Sequence, residues 1–233
     1  VGQLVAETMR LYGARLLAAL PIGLVVAGAD QLMFHLDREE RTVAFVCLGP
    51  VFTLAYAYAA WLATGARPGA RAWAVALVAG TVVFLPAALT FSWFALASVL
   101  WLALAGLAVP AALVEGTSLS GSIRRGIALG RAGYVHAAGS LATLAILFGV
   151  TRLALTQLLT SQAENAVRTA VFLSDTVLGP MVFLGAALLY VDQEARLRSR
   201  HDRGKERDAD VPDADSTDGE GRPDPARESG PPA

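Results

Sequence analysis

The chain has 233 residues, of which 55% are hydrophobic, with a mean hydropathy of +0.50 and a formal net charge of −1. That apolar share exceeds the usual one of a soluble domain, and its apolar stretches with their loops occupy nearly all of residues 1–195, leaving no room for a soluble catalytic domain. A single cysteine, Cys47, excludes disulfides and cysteine metal sites, and its apolar surroundings predict a buried thiol packing as a small hydrophobe.

Residues 3–14 place Leu4, Val5, Met9 and Tyr12 on one helical face, with Glu7 and Arg10 elsewhere. This predicts a short amphipathic helix lying at the inner membrane surface. Six apolar stretches come next, at about 16–34, 43–63, 72–91, 94–114, 135–159 and 167–190. A hydrocarbon core of about 30 Å needs ~20 residues at a rise of ~1.5 Å, and amides in lipid must bond within their own helix. The first stretch is too long for a signal's apolar core and no small-residue cleavage site follows it, so a retained first span is expected. Val1 stands where Met is expected, as missing residues or a literally translated non-AUG start would leave it.

Between spans four and five, residues 118–134 predict a second amphipathic element. Leu119, Ile123 and Ile127 recur every four residues, while Arg124, Arg125 and Arg131 suit anionic headgroups or act as plain topology determinants. From Arg196 the chain is basic as far as Arg207, acidic through Glu220, and rich in proline. Such a segment predicts disorder over 196–233, as a solubilising or partner-binding tail. The expected fold is all-α: a six-span polytopic membrane protein with two interfacial helices and a disordered cytoplasmic tail.

Basic residues set the orientation. With the N-terminus inside, cytoplasmic segments carry Arg10, Arg15, Arg67, Arg71, Arg124, Arg125, Arg131, Arg196, Arg198, Arg200, Arg203, Lys205 and Arg207, against Arg38, Arg41 and Arg168 outside. Both termini are therefore expected in the cytoplasm. The abundance of Ala, Gly and Arg with one Lys points to a high-GC bacterium, hence to its inner membrane.

Charges within spans are costly and mark candidate sites. Asp30, Arg152 and Asp175 all fall in the outer half of the bilayer by residue count, so a cluster of Arg152 between two carboxylates is expected either to lock helices together or to serve as a substrate or proton site. Glu115, at the inner end of span four, is expected to pair with Arg124 or Arg125. Pro21, Pro50, Pro86, Pro110 and Pro180 imply irregular spans, and Ala103, Gly106, Gly185 and Ala186 allow close helix contact. An enzyme is not expected. There is no HExxH, His35 and His136 lie at opposite membrane faces, Ser120 and Ser122 have no base beside them, and no phosphate loop or dinucleotide fingerprint occurs. No cofactor, metal or nucleic-acid partner is expected.

Three passages carry a family likeness. Val109-Pro110-Ala111-Ala112-Leu113-Val114-Glu115, with Ser122-Ile123-Arg124-Arg125-Gly126-Ile127-Ala128-Leu129 and Arg131 after it, is similar to a span ending in Pro and Glu and an A-L-R-R-S-x-x-L segment. Gly179-Pro180 and Leu188-Leu189-Tyr190-Val191-Asp192-Gln193-Glu194-Ala195-Arg196 resemble a closing L-L-Y-x-D-x-R-x-R signature. Glu7-Thr8 with Leu11-Tyr12 is similar to an opening amphipathic stretch. Together, over about residues 1–200, these resemble the membrane domain of glycerophosphoryl diester phosphodiesterase and its stand-alone bacterial relatives of unknown function. Gly126 replaces the family's Ser, and Glu194 the first Arg of its closing signature. Some relatives fuse this region to a phosphodiesterase domain; nothing here matches that domain, so no diesterase activity carries over.

The expected function is a non-enzymatic membrane module linked to lipid or envelope metabolism. Glu115, Arg124, Arg125, Arg131, Asp192 and Arg196 would share the cytoplasmic face and engage anionic lipid headgroups, a protein partner or a second copy. The alternative is a small transporter or channel using Asp30, Arg152 and Asp175.

Overall fold

Where lipid replaces water, a backbone can bond its amides only along its own helix. A computed structural model of the chain describes residues 2–91, 93–159 and 163–209, with side chains as far as Ser199, and its described elements are all helices. In order they are α1 (Gly2–Ala14), α2 (Leu16–Met33), α3 (Arg38–Thr64), α4 (Ala70–Phe91), α5 (Ala95–Ala105), α6 (Ala108–Glu115), α7 (Leu119–Ala132), α8 (Tyr134–Leu158) and α9 (Glu164–Ala209). The chain divides into units of Val1–Leu197 and Arg198–Ala233. The second is helical through Ala209, and the packed helix bundle belongs to the first.

Six segments are long and apolar enough to cross a bilayer: Leu16–Met33, Arg38–Thr64, Ala70–Phe91, Ala95–Glu115, Tyr134–Leu158 and Glu164–Ser199. The chain is a multi-pass membrane protein. Its surface fits that solvent: Leu17, Val135 and Leu158 are 82%, 85% and 76% exposed, an exposure of hydrocarbon that water would penalise and lipid does not. Cys47 is a correction of the same origin. Expected in the interior, it is exposed, because an apolar side chain on a membrane helix can face lipid as readily as the core.

Local chemistry fixes the helix ends. Glu39 and Glu40 occupy the first turn of α3, where the helix dipole favours them, and Glu40 Oε2 accepts the Asp37 amide at 3.2 Å. Gly65 (φ 65°) and Gly116 (φ 61°) close α3 and α6 in the left-handed conformation that glycine takes without strain. Arg15, between α1 and α2, donates from Nη1 to the Leu62 carbonyl at 2.6 Å, serving a carbonyl that the end of α3 leaves open.

Small residues fill the interior, with Ala19, Ala57, Ala76, Ala103, Ala112 and Ala187 wholly inaccessible. Such residues let helix backbones approach where lipid supplies no hydrophobic drive to association. Span four is the central helix: 61% of its apolar window is buried, against 22% for α8. It is also broken, where one continuous span was expected. Pro110 has no N–H to give the Gly106 carbonyl one turn back; that carbonyl accepts instead from the Val109 amide at 3.4 Å, and α5 gives way to α6.

The two short helices bury faces that match the predicted ones only in part: Leu4 and Tyr12 of α1 are buried, and Ile123 and Ile127 of α7 pack, partly buried, against Val83, Ala105 and Ala108. On α1 the buried residues are Leu4, Thr8 and Tyr12, while Met9 is half-exposed. Thr8 can enter the core because its hydroxyl bonds the Leu4 carbonyl at 2.7 Å. On α7 they are Ser122, Gly126, Leu129 and Gly130. A methyl on Gly126 or Gly130 would strike the backbone of Ala108 or Leu104, and Tyr134 Oη donates to the Leu100 carbonyl at 3.4 Å. These steps of four run in opposite senses, so α7 lies antiparallel against α6 and α5.

The tail departs from prediction too. α9 continues through Arg196 to Ala209, since Arg, Lys, Glu and Ala are good helix formers and Asp192 pairs with Arg196 one turn on. The rest of the expected disordered tail, 210–233, lies outside the described residues.

On α2, a methyl at Gly23 would overlap the Thr176 backbone, whereas Gly28 faces open space. Gly23→Ala should cost about 1–3 kcal/mol through overpacking, and Gly28→Ala should be neutral or slightly stabilising. Thermal melting of both variants in one detergent checks the contrast.

Candidate functional site

Charge gathers in two places. The first ties the end of span four to α7 and α9. Glu115, the last residue of α6, accepts on Oε1 from Arg125 Nε at 2.8 Å and from Tyr190 Oη at 3.1 Å. Its predicted partner was Arg124 or Arg125, and the pair is with Arg125. Tyr190 is almost wholly buried, so its hydroxyl needs this acceptor. The Glu115 hydrogen bond, only partly offset by desolvation, pushes the Arg125 guanidinium further above its already high range. Arg125 therefore stays charged at any working pH.

Two residues further along α9, Asp192 Oδ2 lies 2.9 Å from Arg196 Nε and 3.3 Å from His136 Nε2 of α8. Arg196 Nη2 is also 3.3 Å from that ring nitrogen. His136 Nε2 donates to Asp192 when it carries the proton and accepts from Arg196 when it does not. Arg124 and Arg131 stand apart from both groups. They are exposed, and with Ser120, Ala128 and the partly buried Ile123 and Ile127, which also pack against Val83, Ala105 and Ala108, they line an open groove of about 490 Å³.

The second place lies toward the ends of α2 and α8. Arg152 Nη2 is 2.6 Å from Asp30 Oδ1, and Nη1 is 3.6 Å from Asp175 Oδ2. The side chains of Asp30, Arg152 and Asp175 are 19%, 34% and 0% exposed. Beside them, Arg168 donates to Gln31 Oε1 at 3.2–3.3 Å and stacks over the Phe34 ring at 5.0 Å.

The six residues expected to share one face thus divide. Glu115 and Arg125 form one linkage, Asp192 and Arg196 another, and Arg124 and Arg131 face outward. Tyr190 and His136 join these linkages without having been singled out for it. Tyr190 carried a signal, as a hydroxyl-bearing aromatic at the end of an apolar stretch; His136 carried none beyond its place at the start of span five. Among the described residues no three His, Cys, Asp or Glu side chains are grouped to hold a metal. No protein-family model, curated protein or solved structure matches the chain.

Tyr190→Phe removes one hydrogen bond to Glu115 and should cost about 0.5–1.5 kcal/mol. Glu115→Gln weakens both bonds, so it should cost more, and combining the two should cost less than their sum because they share one oxygen. A double-mutant cycle on melting free energies measures this.

Proposed function

We propose that the chain is a non-enzymatic membrane module of a bacterial inner membrane, with both termini cytoplasmic, that engages anionic lipid headgroups through the outward face of α7. The observation that carries this reading is how α7 divides its arginines. Arg125 turns inward to Glu115, while Arg124 and Arg131, exposed, flank Ile123 and Ile127 along an open groove. Guanidinium groups bind phosphate well, and adjacent isoleucines suit the acyl region just beneath it. A basic groove at the cytoplasmic side of a helix bundle fits that ligand. The resemblance to the membrane domain of glycerophosphoryl diester phosphodiesterase supports a place in lipid or envelope metabolism, without the diesterase reaction.

Two measurements test the reading. Added phosphatidylglycerol should raise the melting temperature of the purified protein more than phosphatidylcholine does, each basic residue contributing about 1 kcal/mol. Arg124→Gln with Arg131→Gln should erase that difference, whereas Arg125→Gln should lower the baseline and keep it. If the double variant still discriminates, the groove is not the lipid site. For orientation, with Cys47 replaced by Ala, a cysteine at Glu39 should react with a membrane-impermeant thiol reagent on intact cells. One at Arg67 should react only after lysis; the reverse pattern would invert the topology.

A further inference from the structure

The cluster between α2, α8 and α9 brings two carboxylates to one guanidinium, and it is lopsided. The Arg152–Asp30 distance of 2.6 Å is that of a strong charge-assisted bond, whereas 3.6 Å to Asp175 is beyond hydrogen-bond length. Yet Asp175 is the wholly buried member. Both of its oxygens, and Asp30 Oδ2, are buried without a hydrogen-bond partner among the described residues. An ionised carboxylate with neither water nor a close donor is among the costliest groups to bury.

Nearby charge offers no remedy. From α2 Asp175 faces Asp30, which is a like charge, and from α8 it faces Arg152, already engaged at the shorter distance. On its own helix the nearest cation in sequence is Arg168, two turns away and bound to Gln31. The set is one positive charge short of neutrality, and it offers three buried acceptor oxygens with no donor among them.

We propose that this cluster is a proton-binding site, in which Arg152 neutralises Asp30 and Asp175 carries a proton taken from, and returned to, the aqueous phase. A single O–H on Asp175 removes the surplus charge, turns one bare acceptor into a donor and spares the site a buried unpaired anion. A metal cation would need several oxygen ligands and would sit against a guanidinium that repels it. The site is separate from the α7 groove, and its test does not depend on lipid binding there.

The experiment is infrared spectroscopy of the full chain in lipid nanodiscs, where the carbonyl stretch separates protonated from ionised carboxyl groups. At neutral pH the wild type should show the band of a buried carboxylic acid. Asp175→Asn should abolish it. Asp30→Asn should abolish it as well, because Arg152 then serves Asp175 alone and the proton leaves. Arg152→Gln should roughly double the band; if that variant does not fold, the two Asp→Asn variants decide. Wild-type melting temperature should fall as pH rises above the ordinary carboxylate range, since the folded chain binds a proton that the unfolded chain gives up, and Asp175→Asn should flatten that slope. Absence of the band in the wild type, its survival in Asp30→Asn, or its loss on adding sodium at fixed ionic strength would overturn the proposal.

Discussion

Lipid offers no hydrogen bonds, so each polar group within these helices has to be served by the protein itself. Threonines answer locally: the hydroxyls of Thr81 and Thr176 bond the carbonyls of Leu77 and Phe172 one turn back. Long side chains answer across helices and tie them together. Tyr58 donates to the Ala18 carbonyl at 3.0 Å, joining α3 to α2, and Trp101 donates to Val83 at 2.8 Å, joining α5 to α4. A need imposed by the solvent becomes a set of fixed tethers between spans.

The same need accounts for α7. Non-helical backbone at membrane depth survives only where protein covers it, and span four loses its regular bonding at Gly106 because Pro110 cannot donate there. Gly126 lies directly over the amide of Ala108, the first residue of α6, and Gly130 lies over the carbonyl of Leu104 just before the break. The two glycines, four apart, let α7 approach closely enough to cap the irregular segment. Close approach on one face also turns Arg124 and Arg131 to the other. Helix packing and the orientation of the candidate lipid groove therefore have one cause.

Much of the architecture was legible from apolar length alone, which is why each of the six apolar stretches falls on a helix long enough to span; charged helix ends, as at Arg38 and beyond Tyr190, extend two of those helices past the apolar limits. The break in span four was half legible: Pro110 marks a source of irregularity, but where a helix gives way depends on its neighbours. The buried faces of α1 and α7 were legible only in part, because hydrophobicity guides burial when water is the alternative. Here Met9 and Cys47 face outward at little cost, while Thr8, Gly126 and Gly130 are small enough for the interior. The meeting of Asp30, Arg152 and Asp175 followed from depth and charge, both countable along the chain. Which arginine of α7 would take Glu115 did not, because Arg124 and Arg125 differ only by a rotation about the helix, and the seating of Gly126 and Gly130 sets that rotation.

The two charge groups are joined by a common pair of helices. α8 and α9 run antiparallel, with His136 beside Asp192, Leu144 against Gly185 and Arg152 near Asp175. The register is set in the middle by the Leu144 side chain seated on Gly185, at one end by the Asp192–His136 contact and at the other by the approach of Arg152 to Asp175. Sliding one helix along the other would cost the Asp192–His136 contact at one end and move Asp175 away from Arg152 at the other. Neutralisation of Asp175 and the pairing of Asp192 with His136 are thus held to one relative position of α8 and α9. Removing only one of these contacts leaves the other two to preserve the register. Loss of the Leu144–Gly185 fit acts differently, because it loosens the pair between two groups that each depend on its alignment.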